Sequence, residues 1–142
     1  MGFYACFTAA ALAMAASAAS TVSVSYDPIY DVSTTSLNKV ACSDGPHGLK
    51  RFGFSMLGDL PKFPMIGGAQ VIAGYGSESC GSCWELTYNA TSIRILAIDH
   101  TDTGLNIGLA AMNALTNDRA QFLGRIQATA TQLDAAACGL RE

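Results

Sequence analysis

Charge is scarce in this chain. Eight Lys and Arg and eleven Asp and Glu among 142 residues leave 13% charged side chains and a formal net charge of −3. The basic residues form no cluster beyond Lys50 and Arg51, which argues against nucleic acid as a partner. No Gly-x-Ser-x-Gly elbow occurs, so a serine hydrolase of the α/β type is excluded, and His47 and His100 read as polar loop residues. The glycines punctuate turns and build no phosphate-binding motif. Tryptophan occurs once, at Trp84, beside Cys83 at a strand start, where core packing suits it better than a role as a stacking platform. No long helix fits residues 49–75, which Pro61, Pro64 and the Gly67, Gly68 pair divide into short strands and turns, with residues 69–73 as the expected strand.

Residues 1–20 carry no charged side chain at all. Their alanine-rich apolar stretch ends in Ser17, Ala18, Ala19 and Ser20, a pattern that resembles a secretory signal peptide over 1–19 with the mature domain over 20–142. A membrane anchor is disfavoured, because alanine is weakly apolar and the stretch is short for a span. Removal of this segment takes Cys6 with it and leaves four of the five cysteines. An even number in a small exported domain implies a disulfide framework.

Along the rest of the chain, residues 21–26 alternate and read as a strand stopped by Asp27 and Pro28. A short helix is expected over 34–40, and residues 42–48 form a turn-rich loop pinned by Cys42. Residues 80–100 read as a hairpin. Its first arm alternates Trp84, Leu86 and Tyr88 with Glu85 and Thr87, and its second is an apolar run ending in Asp99. The best helix falls at 107–116 with Asn106 as its cap, and 125–132 is the last strand. The whole reads as mainly β with short helices, an α+β chain built as a compact β barrel. Four cysteines allow three pairings. Cys42–Cys80 with Cys83–Cys138 is favoured over a Cys80–Cys83 bond, because it ties three segments to one point.

The chemistry this pattern offers is limited. Cys80-x-x-Cys83 precedes a strand and not a helix, unlike a thioredoxin-type redox pair, and Cys42, His47, His100 and Cys138 are too loosely arranged for a zinc site. Asp99 is the leading functional residue, since it sits where a buried strand emerges at the surface. Hydrolysis of a glycan needs two opposed carboxylates, and Asp99 with Asp44 is the pair to test first. Asn89, Ala90 and Thr91 form an N-glycosylation sequon at the hairpin turn.

Several blocks in a fixed order carry a resemblance. Ser25-Tyr26-Asp27, Cys42-Ser43-Asp44-Gly45-Pro46, Phe63-Pro64, Ile66-Gly67-Gly68, Cys80-Gly81-Ser82-Cys83-Trp84, Leu96-Ala97-Ile98-Asp99-His100, Asn106-Ile107 and Met112-Asn113-Ala114-Leu115-Thr116 together are similar to the cerato-platanins, small secreted proteins of filamentous fungi. The resemblance implies a six-stranded double-psi β barrel with two disulfides, paired as favoured above. It further implies a non-catalytic, cofactor-free and metal-free protein, extracellular and associated with cell walls. Such a protein binds chitin fragments or related wall polysaccharides in a shallow groove, loosens polysaccharide without hydrolysis, and is recognised at plant surfaces as a defence elicitor. It would be monomeric or weakly self-associating, with neither nucleic acid nor membrane as partner.

Carried over residue by residue, Asp99 takes the place of the family's groove aspartate and Asn106 that of its groove asparagine, with Tyr26, Asp27, Ser43 and Asp44 at motif positions nearby. His47 stands where the loop more usually has Asn. A pure binding role for Asp99 further implies that Asp99→Ala loses retention on chitin with little change in thermal stability. The alternatives are a surface-active, self-assembling structural protein of hydrophobin type and, third, a weak endoglucanase on the same barrel.

Overall fold

The computed structural model describes residues 18–141 together with Gly2 and Ala5. The expected signal segment over 1–19, Cys6 included, otherwise lies outside the described residues. Six strands close into a mixed barrel: β1 (Ser20–Tyr26), β2 (Ile66–Ala69), β3 (Cys83–Tyr88), β4 (Thr91–His100), β5 (Leu105–Ile107) and β6 (Ile126–Leu133). Around the barrel the order is β1-β5-β2-β4-β3-β6, with β1 parallel to β5, β2 parallel to β4, and every other pair antiparallel.

The alternation visible in the sequence selects the inner face. Ile126, Ala128 and Ala130 of β6 are buried while Gln127 and Thr129 between them are exposed. On β4, Ile95, Leu96, Ala97 and Ile98 are all buried in succession, because this strand is covered on both sides. Its outer side is overlaid by α1 (Leu109–Thr116) and the 3-10 turn Ala135–Cys138, and by the segment at Cys42, whose N–H donates to the Ile98 carbonyl at 3.1 Å.

Two elements depart from the sequence reading, and both adjoin the site. β2 spans Ile66–Ala69 and not 69–73, so the glycine pair read as a break is the strand itself. A Cβ on Gly67 would stand 2.4 Å from the Asn106 carbonyl oxygen, and one on Gly68 would stand 2.9 Å from the His100 carbonyl oxygen. The two glycines therefore form a strand because neighbouring backbones leave no room for a side chain. Asn106 lies within β5 and does not cap α1, which starts two residues beyond the expected 107, after Gly108. The cap comes from a distant residue: the Asp31 carboxylate accepts from the N–H groups of Leu109 at 2.6 Å and Ala110 at 2.9 Å. The helix expected over 34–40 shortens to the 3-10 turn Leu37–Lys39, capped by Ser36. A short α2 (Ala120–Leu123) was not anticipated.

Both disulfides form in the favoured pairing, Cys42–Cys80 and Cys83–Cys138. Between their two adjacent halves, Gly81 N–H donates to the Ala97 carbonyl and Ala97 N–H donates to the Ser82 carbonyl, both at 2.9 Å. The stretch 80–83 is thus bolted to β4, to the Cys42 loop and to the C-terminal turn. The sequence separations of 38 and 55 residues correspond to a loop-closure stabilisation of about 4 kcal/mol each. Trp84 is half-buried, packs against the core, and donates its indole N–H to Ser82 Oγ at 2.9 Å.

Candidate functional site

Strand register brings four residues into one row. Ser25 of β1 pairs with Asn106 of β5, Asn106 pairs with Gly68 of β2, and Gly68 pairs with Asp99 of β4. Directly paired residues of neighbouring strands share a face, and here it is the outer one. Leu105 and Ile107 on either side of Asn106 are buried inward, as is Val24 beside Ser25, while Asn106 and Ser25 are only half-buried. Ser25 Oγ donates to Asn106 Oδ1 at 3.0 Å, which orients the amide and leaves its NH2 group to donate outward. Gly68 is the bare step in the row. The Tyr30 hydroxyl occupies the space above it, 3.3 Å from where a Cβ would lie, and from there donates to Asp99 Oδ2 at 2.9 Å.

Asp99 is half-buried and well supplied with donors. Besides Tyr30, the N–H groups of Ala41 and of His100 itself both donate to Oδ1 at 2.9 Å. A carboxylate offers about four lone-pair sites. Three are used, so one on Oδ2 is left for a ligand. Burial raises the Tyr30 hydroxyl well above the ordinary tyrosine pKa, and the adjacent Asp99 charge raises it further. Tyr30 therefore stays protonated and keeps donating. Three hydrogen bonds on Asp99 argue against the expectation that its removal leaves stability nearly untouched. The carboxylate ties the 3-10 turn Pro28–Asp31 and the loop segment entering Cys42 to the end of β4.

His100 points the other way. Its Nδ1 lies 2.6 Å from the Ile72 carbonyl oxygen and its Nε2 lies 2.9 Å from Asp102 Oδ1. Both ring nitrogens thus face acceptors, and the Ile72 carbonyl, then Asp102, raise its pKa above the usual 6.5.

The remaining expected residues are distributed around this row. Asp27 Oδ1 accepts from Ile29 N–H at 3.0 Å and so caps the turn that carries Tyr30. Tyr26 pairs with Ile107 and packs toward the core, on the opposite side of β1 from Ser25. Ser43 is only 6% exposed, and its carbonyl accepts from Lys50 N–H at 3.1 Å. Asp44 is exposed and faces Lys50, with Nζ at 3.5 Å. Asp44 shares no hydrogen bond with Asp99, and every group bonded to the Asp99 carboxylate is a donor. Tyr30 carried no signal in the sequence, lying 69 residues from Asp99. Ser25 and Gly68 stood inside recognisable blocks without a role attached to them.

Comparison with known proteins agrees with this architecture. The cerato-platanin family model matches residues 22–140. The heat-stable 19 kDa antigen of Coccidioides immitis is 42% identical over 123 residues, 87% of this chain and 84% of the antigen. The crystal structure of cerato-platanin 2 from M. perniciosa superposes with a TM-score of 0.82 at 38% identity, covering 85% of this chain and 100% of that one. The solution structure described as the fungal elicitor cerato-platanin superposes at 0.75 with 40% identity, covering 82% and 96%. The barrel is accordingly of the double-psi type, and the chain belongs to the cerato-platanin family.

Proposed function

We propose that this is an exported, non-catalytic carbohydrate-binding protein that engages chitin fragments or related wall polysaccharides along the Ser25–Asn106–Gly68–Asp99 row. The observation that carries the reading is a fixed donor beside a fixed acceptor. The Asn106 NH2 group and the remaining Asp99 lone pair lie on one face, separated by a residue with no side chain. Sugar hydroxyls both donate and accept, so an oligosaccharide laid along the row can satisfy both groups through hydroxyls of different sugar units. All three groups bonded to the Asp99 carboxylate are donors, which suits an ionised acceptor for sugar hydroxyls. The kinship with a fungal elicitor and with an antigen supports an extracellular setting. Wall loosening and elicitation at plant surfaces are extensions of the same reading.

Asn106→Ala is the cleanest test, because it removes the outward amide while the strand stays paired. Titration with chitin and cellulose oligomers by NMR should show shifts confined to the row, and affinity should fall by roughly tenfold in the variant. Unchanged affinity would count against the site. Sugar release from chitin that disappears in Asp99→Asn would count against the non-catalytic assignment.

A second reading, surface activity, draws on Ile29, Val32 and Met56, which are 56%, 49% and 39% exposed. Ile29 and Val32 rim an apolar cleft behind Tyr30. Surface-tension measurements on the protein used for chitin retention discriminate the two.

A further inference from the structure

We propose that Asn89 carries an N-linked glycan whose first N-acetylglucosamine lies in the cleft between the β3–β4 hairpin and the C-terminal end of α1. Asn89, Ala90 and Thr91 have the acceptor spacing, and the fold presents them well. Tyr88 pairs with Thr91 to close the hairpin, leaving Asn89 and Ala90 as a two-residue tip with φ of 45° and 65°. Positive φ at both positions is the geometry that short hairpins favour. All three sequon residues are exposed, and the Asn89 amide has no hydrogen-bond partner among the described residues.

The tip does not stand alone in solvent. It forms one edge of a cleft of about 440 Å³ whose lining includes Tyr88, Leu115, Asn117 and Arg119 along with Asn89 and Thr91. The half-buried Tyr88 contributes an aromatic side chain to the lining of this mixed polar and apolar cleft, with the buried Leu115 beneath it. Asn117 and Arg119 at the rim offer amide and guanidinium donors. An uncharged ring with one apolar face, hydroxyls and an acetamido carbonyl matches that lining, and an N-acetylglucosamine on the Asn89 nitrogen would start at its edge. The transfer itself uses a polyprenyl-diphosphate-linked oligosaccharide. The Asn89 amide nitrogen attacks the anomeric carbon and a C–N bond forms. The C–O bond to the diphosphate breaks, polyprenyl diphosphate leaves, and the amide proton passes to the transferase. The proposal shares with the proposed function only the export of the chain, and uses none of the Asp99 row.

The test is intact mass of the full chain secreted from a filamentous fungal or yeast host, before and after peptide N-glycosidase. The expected result is a heterogeneous mass increase that collapses on treatment. It should be lost in Asn89→Gln and in Thr91→Ala and kept in Thr91→Ser. The two losing variants alter different residues, so a folding defect in one leaves the other informative. An unmodified mass for the wild-type chain, or a glycan that persists in both losing variants, would overturn the assignment. Seating is tested by trimming the glycan to one N-acetylglucosamine and comparing backbone amide exchange with that of the Thr91→Ala chain. Slower exchange, by several-fold, is expected at residues 117–119, and equal exchange would overturn the seating. Retention on chitin should be the same in all forms, so failure here and failure of the Asp99 row are distinguishable.

Discussion

Asp99 holds three donors and keeps one lone pair unused, so its structural role and the binding role proposed for it would share one side chain. Replacement by Ala leaves the Tyr30 hydroxyl, in a residue only 3% exposed, without its acceptor, and orphans the Ala41 N–H. Asp99→Ala should therefore lose about 2–4 kcal/mol in chemical denaturation as well as its grip on saccharide. Tyr30→Phe should cost about 1–2 kcal/mol, because only one bond goes and the ring stays. His100 gives a pH signature. Its folded pKa is raised, so its contribution is complete below the unfolded value of 6.5 and is lost as pH rises through the folded value. The difference in melting temperature between wild type and His100→Asn should be largest in mild acid and shrink toward pH 9. The blocks around Asp99 and Asn106 marked both positions in the sequence. Tyr30 was illegible, because nothing local records a hydroxyl that meets its partner 69 residues away.

The elements of the barrel were legible where their period was regular and illegible where backbone crowding replaced it. β3 and β6 follow from alternation and β4 from its apolar run, and the hairpin turn falls where Asn89 and Ala90 separate β3 from β4. β2 consists of Ile, two glycines and Ala, a composition that local rules assign to a break. Only the closeness of β4 and β5 explains it. Gly67→Ala should cost about 3 kcal/mol or block secretion, since its Cβ would meet backbone atoms that cannot yield. β5, three residues long, was hidden by the helical spacing that follows it, and that helix needs a cap no neighbouring residue provides. Asp31→Ala should uncap α1 and cost about 1 kcal/mol by denaturant titration.

For the molecule as a whole, the two disulfides meet within the four residues 80–83; cysteine count and spacing implied a framework centred there, and the favoured pairing, also implied by the family resemblance, is the one that forms. The double variant Cys83→Ala/Cys138→Ala should fold yet lose about 4 kcal/mol, a large share of a small domain's stability, visible as a much lower denaturation midpoint. The barrel as a class followed from short alternating strands and glycine-rich connections. Its closure through β1 and β5 did not, since it depends on pairs more than 80 residues apart. The unadorned glycine between Asn106 and Asp99 also makes this surface a ruler. The two groups stand two rungs apart on a peptide ladder, roughly 10 Å, and the strand position between them carries no side chain of its own, only the Tyr30 hydroxyl reaching in from outside the barrel strands. Substitutions in the interior can loosen how rigidly the ruler is held, but its graduations belong to the main chain and are beyond the reach of drift in the core.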